Sequence, residues 1–148
     1  MTGAEAPTFR ELDRFTQAYI EAIFWTERGP NVISDKWNAT EDHAQGSIPD
    51  DVGFDDLAEE SLVDIIDDCR QWQDANLDDL MLAYEGFHAN GAAYDEASAG
   101  HDYWLTRNGH GAGFWDRGLG ELGDRLSKAC DRREVSVYLG DDGKVYVS

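Results

Sequence analysis

The chain has 148 residues, enough for one domain with a real core and too few for two ordinary ones. A hydrophobic fraction of 41%, with 11% aromatics, supplies material for burial and argues against global disorder despite a formal net charge of −19. That sign excludes bare DNA or RNA as a partner of the charged surface. No run of about 18 apolar residues exists to span a bilayer, and the opening MTGAEAPTFRE lacks the basic lead and apolar stretch of an export signal, so a cytoplasmic protein without membrane association is expected.

In PTFRELDRFTQAYIEAIFWTE, Thr8 is followed three residues later by Glu11, a capping-box signature that predicts a helix start. Phe9, Leu12, Phe15, Tyr19, Ile20, Ile23 and Phe24 then recur at helical spacing and mark one buried side. The stretch of about 29–53, with Gly29-Pro30, Pro49 and Gly53, has no sustained period and reads as a long surface connection.

From Phe54 the chain is again helical, with Asp56 and Glu59 placed as a capping pair and Leu62, Ile65, Ile66, Cys69, Trp72, Leu80 and Tyr84 along the inner side. Asn76 and Asp79 offer a second cap, so the segment reads either as one long helix or as two broken near Ala75. Residues of about 87–99 are small and polar and read as loop. Further on, Leu119, Leu122, Leu126 and Cys130 share one face of a helix that ends in basic residues, where the helix dipole favours them.

Val135, Val137 and Leu139, then Val145 and Val147, alternate around Asp141-Asp142-Gly143-Lys144, a hairpin signature. A lone hairpin is marginal in water, so it must lie on the helices or gain strands. The expected fold is a single α+β domain, residues 1–148, mostly helical with a small C-terminal hairpin. Cys69 and Cys130 fall at apolar helical positions and are expected as free, buried thiols.

The charge is concentrated. Residues 41–102 carry 18 of the 31 acids but a single base, Arg70. Glu60, Asp64, Asp67, Asp68, Asp74 and Asp78 fall three or four apart, with Gln71 in the gap, and line carboxylates along the outer helical face. Such a row gives up roughly 1–2 kcal/mol of helix stability through like-charge repulsion. It places a charge every ~5–6 Å, comparable in scale to nucleic-acid phosphates, so a DNA mimic that occupies the basic groove of a nucleic-acid-handling protein is one reading. A solvated face from a salt-adapted or GC-rich source is the plainer one.

HDYWLTRNGHGAGFWDRG, residues 101–118, is the other unusual stretch. His101, Asp102 and His110 offer acid/base chemistry, and His101, His110 and Asp116 offer metal ligands, but at no recognised motif spacing. Packing is the favoured reading: Trp104, Leu105, Phe114 and Trp115 anchor a glycine-rich loop, Arg107 or Arg117 pairs with Asp102 or Asp116, and Asp116 caps the following helix. His101, Arg107, Asn108 and His110 are left as the polar groups most available to a partner.

GHDYWLTRNGHGAGFWDRGLGELGDRLSKA followed by VYLGDDGKVY resembles a family of small acidic proteins found mainly in bacteriophage genomes and prophages. The likeness is strong over the last third of the chain and looser at AIFWTE and IIDDCRQWQDAN. The resemblance implies an accessory protein acting in the bacterial cytoplasm and brings no established catalytic residues. Three functions follow as expectations. The first is a non-enzymatic interaction module binding a basic host protein, without a cofactor, in an anti-defence or DNA-mimic role. The second is a small metal-dependent or acid/base hydrolase centred on residues 101–117. The third is an assembly role as a homodimer through Trp25, Trp37 or the hairpin edge.

Overall fold

The computed structural model describes residues 7–27, 52–86, 91–108, 113–130 and 135–147. Among them run helices α1 (Arg14–Glu27), α2 (Glu59–Ala75), α3 (Leu77–Ala83), α4 (Glu96–Arg107) and α5 (Glu121–Ala129), then strands β1 (Val137–Leu139) and β2 (Val145–Val147). This is the expected mostly helical α+β arrangement with a C-terminal hairpin. Trp37 and most of the 29–53 connection lie outside the described residues, as do Arg132 and Arg133 of the basic helix end.

The expected helix starts are displaced, for a common reason. Glu11 does accept the Thr8 N–H at 2.8 Å, but the pair closes only a 3₁₀ turn, Phe9–Glu11, after which Leu12 is extended. The cap of α1 is Asp13, whose Oδ1 accepts the Thr16 N–H at 2.7 Å. Likewise Asp56 accepts the Gly53 N–H at 2.9 Å within another 3₁₀ turn, and α2 begins beyond it after Ala58. Both acid signatures are real, but each serves a single turn ahead of its helix.

Asn76 settles the central segment as two helices. Its side chain donates to the Trp72 carbonyl at 2.9 Å, so it finishes α2 rather than capping α3. The largest departure follows it. Asp95, whose Oδ1 accepts the Ser98 N–H at 3.0 Å, starts α4, so residues 96–99 and the front of the 101–118 stretch are helical rather than loop. From Asp102 to Arg107 every residue of α4 is buried. A helix enclosed on all sides shows no polar stripe, which is why periodicity missed it.

Helix α1 crosses α4 at close range. At Gly100 a Cβ would stand 2.0 Å from the Phe15 carbonyl oxygen, so only glycine permits the approach. Around this crossing Trp72 stacks on Tyr103 at 4.4 Å and on Phe114 at 5.5 Å, and the edge of Tyr19 meets Trp104 at 5.4 Å. The Trp72 indole donates to the Ala129 carbonyl at 3.2 Å and ties in the end of α5. Cys69 and Cys130 are buried in this core as thiols rather than as a disulfide. Among the described residues, no helix is long and apolar enough to cross a membrane.

The hairpin pairs Val137 with Val147, Tyr138 with Tyr146 and Leu139 with Val145. Val145 and Val147 turn inward. Its stability problem is met at the start of α2: the Ala58 N–H donates to the Val145 carbonyl at 2.8 Å, and the Val147 N–H to Ser61 Oγ at 3.0 Å.

Candidate functional site

Helices α2 and α3 carry Glu60, Asp64, Asp67, Asp74 and Asp78 on the exposed surface, on the side opposite Leu62, Ile65, Cys69, Trp72 and Leu80. Asp68 departs from the row. It is half-buried, its Oδ1 accepts the Tyr103 hydroxyl at 2.9 Å, and its Oδ2 pairs with Arg107 Nη1. Arg70 stands 3.6 Å from Asp67, and Gln71 donates to Asp67 at 2.8 Å. At the far end Arg125 forks onto Asp79, at 3.0 and 3.3 Å.

Large apolar side chains lie among these carboxylates. Val63, Leu77, Met81 and Leu82 are each more than half exposed. On α3, Leu77 and Met81 are one helical turn apart, as are Asp78 and Leu82, so acid and hydrocarbon share a face.

Helix α4 holds two polar networks inside the core. In the first, Arg107 Nη1 lies 3.0 Å from the Tyr103 hydroxyl and 3.2 Å from the Tyr19 hydroxyl while pairing with Asp68, and its guanidinium carbon sits 4.9 Å over the Tyr103 ring. Burial pushes both phenols well above their ordinary value, with Arg107 opposing, so they remain neutral hydroxyls. In the second, Asp102 accepts Arg117 on one oxygen and the Tyr94 hydroxyl on the other. Burial, reinforced by Asp102, likewise raises Tyr94. Burial also raises the Cys69 thiol, which removes it as a nucleophile.

These networks correct the expected set of accessible groups. Arg107 is 6% exposed and occupied within the core. Asn108 is half-buried, donates to the Trp104 carbonyl at 3.0 Å and accepts the Val135 N–H at 2.8 Å, tying the end of α4 to the approach of the hairpin. Of the expected pairings, Arg117 with Asp102 forms, whereas Arg107 goes to Asp68. Trp104, Leu105 and Phe114 are buried anchors, but Trp115 is 51% exposed and lies outside the buried core. Gly120, not Asp116, stands before α5.

His101 and Asp102 do not form an orienting pair. His101 is half-buried against the Trp25 ring, at 5.4 Å, while Asp102 turns to Arg117 and Tyr94. Partial burial lowers the imidazole from its ordinary 6.5, against the opposing pull of Asp102. His110 lies outside the described residues, and of Asp116 only the backbone is described, in the Phe114–Asp116 turn. Among the described residues, no group of three or more His, Cys, Asp or Glu side chains is placed to hold a metal ion.

Tyr19 and Tyr94 were not singled out as polar partners by the sequence. The available signal was charge balance: Arg70 alone cannot serve the acids of residues 41–102, so Asp68 and Asp102 had to draw cations from elsewhere in the chain. Comparison of the chain with models of protein families, with curated proteins and with solved structures gives no match.

Proposed function

We propose that the protein is a non-enzymatic, phage-type accessory factor of the bacterial cytoplasm, an interaction module whose α2–α3 face engages a basic host protein. One observation carries the reading: exposed carboxylates at Glu60, Asp64, Asp67, Asp74 and Asp78 are interleaved with exposed Val63, Leu77, Met81 and Leu82. A face kept only for solvation gains nothing from large hydrocarbon side chains in water, whereas a binding face gains area and contact from them. The carboxylates draw a cationic partner into encounter, and the apolar groups hold it. A nucleic-acid-handling or defence protein with a basic groove fits this chemistry. The sequence resemblance to the phage family supports the biological setting.

The test is capture from host lysate at low and moderate salt by the parent chain and by an Asp64→Asn, Asp67→Asn, Asp74→Asn, Asp78→Asn variant. A cationic protein retained by the parent, released by salt and lost by the variant is the expected result. Equal capture by both, or none at low salt, overturns the reading.

A further inference from the structure

We propose that the outer face of the hairpin is a seat for an arginine side chain of the cationic partner; this rests on the interaction-module reading above and adds a chemical preference to it. Tyr138 and Tyr146 lie directly opposite one another in the antiparallel register. Their rings project on the side opposite the buried Val145 and Val147, stacked with centroids 5.4 Å apart and planes at 13°. Tyr138, on the edge strand, is 50% exposed. Tyr146 is held in place by its hydroxyl, which donates to Asp142 Oδ2 at 2.7 Å, while Asp142 Oδ1 accepts the Lys144 N–H at 3.0 Å.

The surroundings of the ring pair are acidic. The Asp142 carboxylate that accepts the Tyr146 hydroxyl pushes that phenol up, burial adds to the shift, and the Glu60 charge contributes in the same direction. Asp141 adds a third acid in the turn, and Lys144 is the one base among the described hairpin residues. Because Ala58 and Ser61 fix β2 onto the first turn of α2, the ring pair stands at the head of the carboxylate row that begins with Glu60. A basic segment running along that row reaches the rings.

The chemistry distinguishes the two natural cations. A guanidinium is planar and weakly hydrated; it stacks flat on an aromatic face while its N–H groups fork onto neighbouring carboxylates. A lysine ammonium is a compact, strongly hydrated point charge that gains from the carboxylates but little from the stack. The carboxylate row treats the two alike. An edge tyrosine backed by a parallel ring whose hydroxyl is held by Asp142 does not.

The experiment titrates the full chain with two synthetic peptides of equal length and charge, one with arginines and one with lysines spaced by glycine and serine, following the tyrosine ring signals by NMR. The expected result is about fivefold tighter binding of the arginine peptide, with shifts at the Tyr138 and Tyr146 rings. A Tyr138→Thr, Tyr146→Thr variant, which keeps strand-favouring residues, loses the preference and retains the lysine-peptide affinity. If that variant loses the hairpin, Tyr138→Leu, which leaves the Tyr146–Asp142 bond intact, gives the same reading. Asp64→Asn with Asp67→Asn weakens both peptides and preserves the preference. Equal affinities in the parent, or a preference that survives loss of the rings, overturn the arginine seat alone. Failure of both peptides to bind overturns it together with the interaction-module reading.

Discussion

Arg117 reaches one oxygen of Asp102 with both Nε and Nη2, at 2.9 and 2.8 Å, yet the side chain of Asp102 is 2% exposed and that of Arg117 25%. The pair is therefore lopsided. Removing the arginine strands a charge in the core, whereas removing the carboxylate leaves a guanidinium that still reaches water. Arg117→Met is expected to cost about 3–5 kcal/mol. Asp102→Asn, whose amide oxygen still accepts from Tyr94, is expected to cost about 1–2 kcal/mol. Denaturant unfolding of the two variants measures the difference, and equal losses contradict the assignment.

Gly100 sets the separation of α1 and α4. With its would-be Cβ 2.0 Å from the Phe15 carbonyl oxygen, Gly100→Ala must push backbone against backbone, and neither helix can yield without disturbing the aromatic core. A loss of about 3 kcal/mol or more is expected, against the slight gain that alanine brings at an exposed helical site. Thermal unfolding checks it.

The two tryptophans of the 101–118 stretch should behave oppositely. Trp104 is fully buried, and its indole donates to Thr26 Oγ1 at 2.8 Å, so Trp104→Ala is expected to cost about 3–5 kcal/mol. Trp115→Ala, at a largely exposed site, is expected to stay within about 0.5 kcal/mol. Similar losses at both positions would place Trp115 in the core after all.

Asp95→Ala removes the cap of α4 and is expected to cost about 1 kcal/mol at neutral pH. The Ser98 N–H, opposed by partial desolvation, holds the Asp95 carboxyl below its ordinary 3.8. A depressed acid stabilises the fold above its unfolded value and loses that contribution as pH falls through the folded one. The gap between variant and parent should therefore close below about pH 3.8. Acid titration of stability in the two proteins checks this.

His101 acts in the same direction as Asp95 but in a higher pH window. Its lowered imidazole means that the unfolded chain takes up a proton first as pH falls. Stability is unaffected above the ordinary 6.5 and declines as pH drops from there to the folded value. His101→Gln should flatten that part of the profile, and an unchanged slope assigns it to another group.

The sequence made the apolar sides of α1, α2 and α5 and the whole hairpin legible because each keeps one face in water and so shows its period. Helix α4 was hidden for the reason it matters: Asp102 to Arg107 are buried on every side, and while Asp102 finds Tyr94 and Arg117 only 8 and 15 positions away, Arg107 is satisfied by Asp68 and Tyr19, 39 and 88 positions away. No local pattern announces such partners. The acidic face was readable from spacing, but the inward turn of Asp68 depends on where Arg107 lands. The apolar side chains at Leu77, Met81 and Leu82 follow from the break at Asn76, which a choice between one helix and two left open.

The joining of α1 to α4 also shapes how the chain must emerge from the ribosome. Thr26 meets Trp104 across 78 positions and Tyr19 meets Arg107 across 88. At roughly 5–20 residues per second, the greasy side of the first helix waits about 4–18 s for its cover. During that interval the apolar side of α1 lacks its native cover from α4, so the yield of folded chain in a cell should respond to translation speed.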